Sequence, residues 1–487
     1  MRVKTMGLAL VLSLGTTWIA TAQNPDGSRQ NQPLQCTPTH PVDVILGRPT
    51  STSIVLSVLC NSNARAIVVY GTQAANLPER TAVQPIKKDQ PLEIILEKLK
   101  PDTRYHYQLL DESTKKILTE GTFHTQRPPG NTFTFTVTAD SHLDQNTNPA
   151  LYQRTLANVL DDMPDFHIDL GDTFMTGKHA NRENAARQYL AQRFYFGQLC
   201  QATPLFLVPG NHDGEESRLL RDGADSLAVW ANTMRKRYFP NPTPDSFYTG
   251  NAVMDPFAGL LQDYYAWQWG DALFVTLDPY WYPASQRNDD IWDATLGNVQ
   301  YKWLERTLTD SKARFKFVFI HQLVGGRDKQ GRGGVEAAAF GEWGGKNADG
   351  TDGFKAHRPG WDLPIHPLLV RNRVTIVFHG HDHLFAKQDL DGIVYQEVPQ
   401  PGHPGRGAPR SAAEYGYHEG VILGGSGHMR VTVAPDKLTA DYVLACNPQD
   451  EDANHTNRQT PYTYTITGFN HRGIQPETNR NSLPKKP

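Results

Sequence analysis

The chain lacks most of what would assign a protein to a class by composition. It has four cysteines in 487 residues, too few for a disulfide scaffold. No sign of charge dominates: 48 Lys and Arg face 51 Asp and Glu, a formal net charge of -3, so there is neither a basic footprint for nucleic acid nor an acidic tail. No apolar run reaches the about 20 residues that span a bilayer. There is no internal repeat, and His-Glu-x-x-His, the helical zinc-peptidase motif, is absent. What remains is a near-neutral chain long enough for two or three domains, each with its own core.

The first 22 residues read as an export signal. Arg2 and Lys4 give a basic start, Gly7 to Ala20 is mostly apolar but broken by Ser13, Gly15, Thr16 and Thr17, and Ala20-Thr21-Ala22 supplies a small-x-small cleavage site. The mature protein is therefore expected to be secreted or periplasmic, where disulfides can form. Cys36 and Cys60 lie equidistant from residue 48, in the turn-rich Gly47-Arg48-Pro49-Thr50 between "PVDVIL" and "SIVLSVL". A hairpin folded there would bring them together, and a disulfide between them is expected. Cys200 and Cys446 have no such local argument.

From about 34 to 126 short β-type runs alternate with turn residues ("SIVLSVL", "RAIVVYGT", "LEIILEKL", "TRYHYQLL", "ILTEGTFHT"), which predicts an all-β sandwich. "LKPDTRYHYQL" resembles the corner of a fibronectin type III domain, in which a tyrosine bonds back to upstream backbone; Tyr105 is the candidate. "QRPPGN", 126 to 131, reads as a linker. Beyond it, residues 131–445 alternate strands with helical stretches, the texture of an α/β domain. Strands are expected at 133–139, 165–170, 204–208, 272–277, 315–320 and 374–378, and helices at 149–163, 181–200, 298–310 and 363–371. The Gly-rich 325–360 reads as a long loop and 472–487 as a flexible tail.

The strand ends carry the chemistry. "FTFTVTA" is followed by Asp140-Ser141-His142, "DFHIDL" by Gly171-Asp172, and "PLFLV" by Pro209-Gly210-Asn211-His212-Asp213. "FKFVFI" runs into His321, and "VTIVF" into "HGHDH", with His381 and His383. Each alone is ordinary, since Asp and Gly-Asn favour turns and a lone histidine is commonly a satisfied core residue. Five metal-capable motifs at the carboxyl ends of strands, where open α/β sheets build their sites, are a different matter.

In that order the motifs resemble the calcineurin-like metallophosphoesterases and, with the β-sandwich in front, their purple acid phosphatase branch. The resemblance covers most of residues 34 to 445. It implies a catalytic fold of two packed β-sheets flanked by helices and a dinuclear centre for transition metals. Asp140, His142 and His383 would bind the first ion and Asn211, His321 and His381 the second, with Asp172 bridging. His212 would face the substrate as general acid, its ring oriented by Asp213. Two ions about 3.5 to 4 Å apart can hold a bridging hydroxide and neutralise phosphoryl charge during in-line displacement. Imidazole and carboxylate donors without thiolate suit Fe, Zn or Mn.

The chain departs from the purple branch at two positions. That branch has Gly where His142 stands, and a metal-binding tyrosine where "GDTFM" has Met175. A thioether does not replace phenolate, so His142 takes up the duty, as in the wider superfamily, and no ferric-phenolate colour is expected. His167 and His379 read as structural. The aromatics of "DYYAWQWG" and "DPYWYP" suit either a pocket or the core, and Arg327, Arg332, His357 and Arg358 either a substrate phosphate or the surface.

The resulting expectation is an exported hydrolase of phosphate monoesters, acting on a small-molecule phosphoester. The alternatives are a phosphodiesterase on nucleotides or related diesters, or a binding protein with a degenerate catalytic domain. Against the latter, no expected ligand is missing.

Overall fold

The computed structural model describes residues 39–282, 290–324, 332–405, 409, 411–453 and 455–468. The expected export signal, Cys36, Arg327 and the expected tail lie outside them.

The N-terminal part is antiparallel throughout. One sheet joins Val42–Gly47, Ile54–Cys60 and Leu92–Leu96; the other is built on Ala64–Gly71, Arg104–Asp111 and Ile117–His124 with two short edge strands. Their inward side chains, among them Leu56, Val58, Val68, Tyr107, Leu109 and Phe123, form one core. The expected tyrosine corner is present, with the Lys100 backbone N–H donating to Tyr105 Oη at 2.9 Å. The first hairpin differs from expectation. Val42 pairs with Cys60 and Gly47 with Val55, which centres the turn on Ser51 rather than on residue 48. Thr50 sets it there, because its hydroxyl accepts from the N–H groups of Thr52 and Ser53 at 3.1 and 2.9 Å. The symmetry that favoured a Cys36–Cys60 disulfide is therefore absent.

Residues 126–131 hold neither helix nor strand, yet they are tied down. Arg127 bonds Asp165, its Nη2 reaching Oδ1 at 2.9 Å, and the Gly130 N–H donates to Asp271 at 2.7 Å.

The catalytic part is a sandwich of two mixed sheets. The six-stranded sheet runs Leu205–Leu207, Phe166–Asp169, Phe133–Thr138, Gly427–Val433, Lys437–Leu444, Tyr462–Thr467. The eight-stranded sheet runs Thr249–Gly250, Tyr265–Trp269, Ala272–Thr276, Phe315–Phe319, Ile376–His379, Ile393–Glu397, Phe385–Leu390, Val421–Leu423. Alternation in Phe133-Thr134-Phe135-Thr136-Val137 turns the apolar side chains to one face. There Phe135 and Phe166 each meet the edge or face of Phe274 at 5.1 Å across the gap between the sheets. "DYYAWQWG" is core rather than pocket: Tyr265, Trp267 and Trp269 bury between the sheets, and Tyr264 and Ala266 in the core on the other face of their sheet.

Helix Pro149–Asp161 opens with Asn148 accepting from the Leu151 N–H. It packs with helix Arg182–Cys200 on the six-stranded sheet, in a core that also takes Ile45 from the N-terminal sandwich. The second sheet is covered by Gly297–Asp310 and Ile365–Arg371. The described part of 325–360 is not a plain loop: it folds into short helices at Gly334–Ala337, Gly341–Gly344 and Phe354–His357, because Ala337, Trp343 and Phe354 bury. Among the described residues no helix is long and apolar enough to cross a membrane.

Candidate metal centre

All five motif strands deliver their polar ends to one place. Asp140, His142 and His383 form one cluster with ligand atoms within 4.8 Å of one another, and Asp172, His321 and His381 form a second. The two adjoin. Asp172 Oδ2 lies 3.6 Å from His142 Nε2, while its Oδ1 lies 3.5 Å from His321 Nε2, so this carboxylate faces both clusters. Asp140 Oδ1 lies 3.5 Å from His383 Nε2, 3.7 Å from His142 Nε2 and 3.9 Å from His321 Nε2. Asn211 joins the second cluster, its Oδ1 being 3.0 Å from both His321 Nε2 and His381 Nδ1.

The backbone is bent to achieve this. Asp140, His142, Asp172, His381 and His383 have φ of 59°, 52°, 53°, 81° and 63°. The left-handed region costs a non-glycine residue roughly 1–2 kcal/mol. Such strain persists only where the surroundings over-determine it, and it concentrates at functional sites. Gly210 lets two of these loops touch, since a Cβ there would collide with the backbone nitrogen and carboxylate of Asp172. A Cβ at Gly380 would sit 2.8 Å from Asp140 Oδ2, the oxygen that accepts from the His381 N–H at 2.8 Å.

The electrostatics are those of anions surrounded by imidazoles. Burial opposes the charge on Asp172, but the imidazoles of His321, His212 and His142 together outweigh it and hold the carboxyl well below its ordinary range. Burial also opposes a charge on His321, but Asp172 and Asp140 together with the Leu170 carbonyl outweigh it and raise that imidazole to about 9. His142 is lifted well above its usual value against burial by Asp140, Asp144 and Asp172. His212 differs: burial pulls it down to about 3.

The donor set fits metal ions. Among the described residues Asp140 Oδ1 and His142 Nε2 are buried without any hydrogen-bond partner, which is costly unless a cation completes them. Separations of 3.5 to 3.7 Å match the edge of a tetrahedron whose corners lie about 2.0–2.2 Å from a shared ion. His321 Nδ1 is bonded to the Leu170 carbonyl at 2.8 Å, which leaves Nε2 facing the cluster, the tautomer a ligand needs.

Of the sequence-derived residues, Asp140, His142, Asp172, Asn211, His321, His381 and His383 come together. His212 stands at their rim, Nε2 4.0 Å from Asp172 Oδ2, with a side chain 26 % exposed against 1 % for Asp172. Asp213 does not orient it. The Asp213 carboxylate accepts backbone N–H bonds from Asp172, Thr173, Phe174 and Gly210, at 3.1, 2.9, 2.7 and 2.8 Å, and so clamps the Asp172 loop against its own. The ring-orienting role is thereby corrected to a positioning one. Short polar turns have bare N–H groups, and a neighbouring buried carboxylate is the partner that satisfies them.

Sequence reasoning also missed a supporting layer. Asp144 Oδ2 lies 3.6 Å from His142 Nδ1. Gln192 Nε2 donates to Ser141 Oγ and the Thr173 carbonyl, both at 2.8 Å, and Gln188 donates to the carbonyls of His142 and Thr173. Four-residue spacing puts both glutamines on one helix face, a signal present in "RQYLAQ" but indistinct from a solvated face. Arg358 and Arg332 are structural: Arg358 pairs with Glu342, and Arg332 pairs with Asp382 and donates to the His381 carbonyl at 3.1 Å. His357 stacks on Trp292 at 4.4 Å. His167 is held by Thr136 and Thr138, both at 2.9 Å, and His379 by Glu397 at 2.5 Å. Met175 is buried, 3 % exposed.

The profile of the calcineurin-like phosphoesterases matches residues 133–385. Among solved structures, PhoD aligns with a TM-score of 0.64 at 16% identity, over 88% of this chain and 90% of its own. The purple acid phosphatase PPD1 from yellow lupin (Lupinus luteus) seeds aligns at 0.57 and 15% identity, over 88% and 74%. At such identities the likeness is one of fold. No curated protein sequence matches the chain.

Proposed function

This chain belongs to the calcineurin-like phosphoesterase family and is a metal-dependent hydrolase, and from that premise we propose that it is an exported enzyme that removes phosphate from monoesters. The observation that carries the reading is the pair of adjoining clusters, with Asp172 facing both and the buried Asp140 Oδ1 and His142 Nε2 left without partners. Asp140, His142 and His383 would hold one ion and Asn211, His321 and His381 the other, Asp172 touching both. When bound, two Fe, Zn or Mn ions supply Lewis acidity at the phosphoryl oxygens and an activated water.

The chain's own residues do the rest. The carboxylate of Asp172 and the strand-end loops around it fix where the phosphoryl group sits, and positioning of that kind is most of the catalysis in phosphoryl transfer. His212, on the exposed side of the ligand set, is placed to give a proton to the leaving oxygen. The negative charge of a phosphate beside it is what raises its pKa into a useful range. Export rests on the basic-apolar-small pattern of residues 1–22.

Metal analysis of purified protein, followed by a panel of phosphate mono- and diesters, tests this. Two ions per chain and faster turnover of monoesters are expected. Preferred turnover of diesters would make the protein a phosphodiesterase, and metal without turnover of any ester would make it a binding protein.

A further inference from the structure

A sixth strand end faces the centre. Ala272–Thr276 leads into Asp278-Pro279-Tyr280, which the function above does not use. The Tyr280 ring lies 6.1 Å from that of His321, tilted by 60°. Its backbone is held on both sides: the N–H donates to Asp278 Oδ1 at 2.8 Å, and the carbonyl accepts from the Ser217 N–H at 3.1 Å, in the segment that follows Asn211-His212-Asp213. The phenol oxygen is buried and has no hydrogen-bond partner among the described residues. A buried O–H beside the His321 ring that bonds to no described group is placed for an acceptor that arrives from outside.

Resting on the phosphoesterase reading, we propose that Tyr280 touches the substrate, donating a hydrogen bond from its phenol to a phosphoryl oxygen on the His321 side of the centre, and that it is not a metal ligand. A neutral, preorganised donor stabilises charge on that oxygen as it develops and brings no charge of its own. It also satisfies the phenol, which has no other hydrogen-bond partner among the described residues.

Tyr280→Phe removes only the hydroxyl. Its expected signature is a fall in kcat/KM on monoesters by roughly 10- to 10²-fold, with calorimetric affinity of the metal-loaded protein for orthophosphate weakened alongside. Metal content should stay at the wild-type value. The Tm of the metal-free variant should be no lower than wild type, because an unpaired buried hydroxyl has been removed. Iron-loaded wild type should show no intense visible band. Unchanged kcat/KM and orthophosphate affinity overturn the proposal, and a lowered metal-free Tm beside them marks a structural hydroxyl. A visible band that Tyr280→Phe abolishes also overturns it, by showing a phenolate ligand. Wild-type protein that binds metal but hydrolyses no ester sinks the function proposed above instead, and orthophosphate affinity then decides Tyr280 by itself.

Discussion

Two regions of this molecule bury charge, and they do so in opposite ways. Where the N-terminal sandwich meets helix Arg182–Cys200, Arg193 is wholly buried and fully used. It pairs with Asp43, itself bonded to His40 at 2.7 Å, and donates to Ser57 Oγ at 2.9 Å, to the Ser57 carbonyl at 2.8 Å and to the Tyr238 carbonyl. Tyr107 Oη and Tyr248 Oη reach across to the carbonyls of Gln201 and Pro49. At the metal centre, less than two helical turns from Arg193 along the same helix, Gln188 and Gln192 hold loops whose Asp140 Oδ1 and His142 Nε2 have no partner. Polarity that is buried and satisfied is architecture; polarity that is buried and unsatisfied awaits a ligand. The conformations agree, since Arg193 sits in regular helix and five of the expected ligands sit at positive φ.

The sharpest way to break that comparison is to remove ligands. His381→Ala and His383→Ala should each lower bound metal below two per chain and all but abolish turnover. His212→Ala should keep near-full metal while kcat falls by roughly 10²-fold or more, less for nitrophenyl than for alkyl esters, whose leaving group needs the proton. Metal content and kcat on both ester types check this together; a His212→Ala protein that loses metal as readily as His381→Ala would sink the division of roles.

Arg193→Ala is the matching test of the other region. Leaving Asp43 buried without its partner should cost about 3 to 5 kcal/mol in denaturant unfolding, with metal per folded chain unchanged. Loss of metal from folded Arg193→Ala would show that the sandwich supports the centre and that the two regions are not independent.

A smaller effect separates the regions by pH. His321 has a folded value of about 9, above the roughly 6.5 of an unfolded histidine. In the metal-free protein its stabilisation is fully present below about 6.5 and disappears as pH rises through about 9. Metal binding has the opposite dependence, because the ion must displace that proton. Melting of the metal-free protein should therefore weaken from pH 6.5 to 9 while metal affinity strengthens, with protons released on binding. A metal affinity independent of pH over that window would contradict the ligand assignment of His321.

The smallest expected effect is at cysteine. Burial first, and then Asp43, push the Cys60 thiol to about 11, and burial raises Cys200 well above its usual value. Alkylation of native protein should miss both, and unfolding should expose them. A non-reducing peptide map that joins Cys36 to Cys60 would restore the pairing that the hairpin register argues against.

Local sequence determined the elements and the chemistry they carry. Alternating Phe and Thr made Phe133–Thr138 a strand, "TRYHYQLL" held a tyrosine corner, and each ligand motif lay within a few residues of a strand end, because both the pleat and the turn are set by neighbours in the chain. Tertiary structure decided what those groups meet. Asp213 looked like a partner for the neighbouring ring and became a clamp on a loop forty residues upstream, since three bare N–H groups there, with that of Gly210 in its own loop, claim its carboxylate. The first hairpin turned at Ser51 because the Thr50 hydroxyl bonded the backbone beyond it. Arg193 meets Asp43 and Ser57 only once the N-terminal sandwich packs on its helix, and Tyr280, whose sequence suits pocket and core alike, meets His321 only where the strand ends converge. Residue type fixes which bonds a group can make; burial, which only the folded chain supplies, fixes which of them it must make.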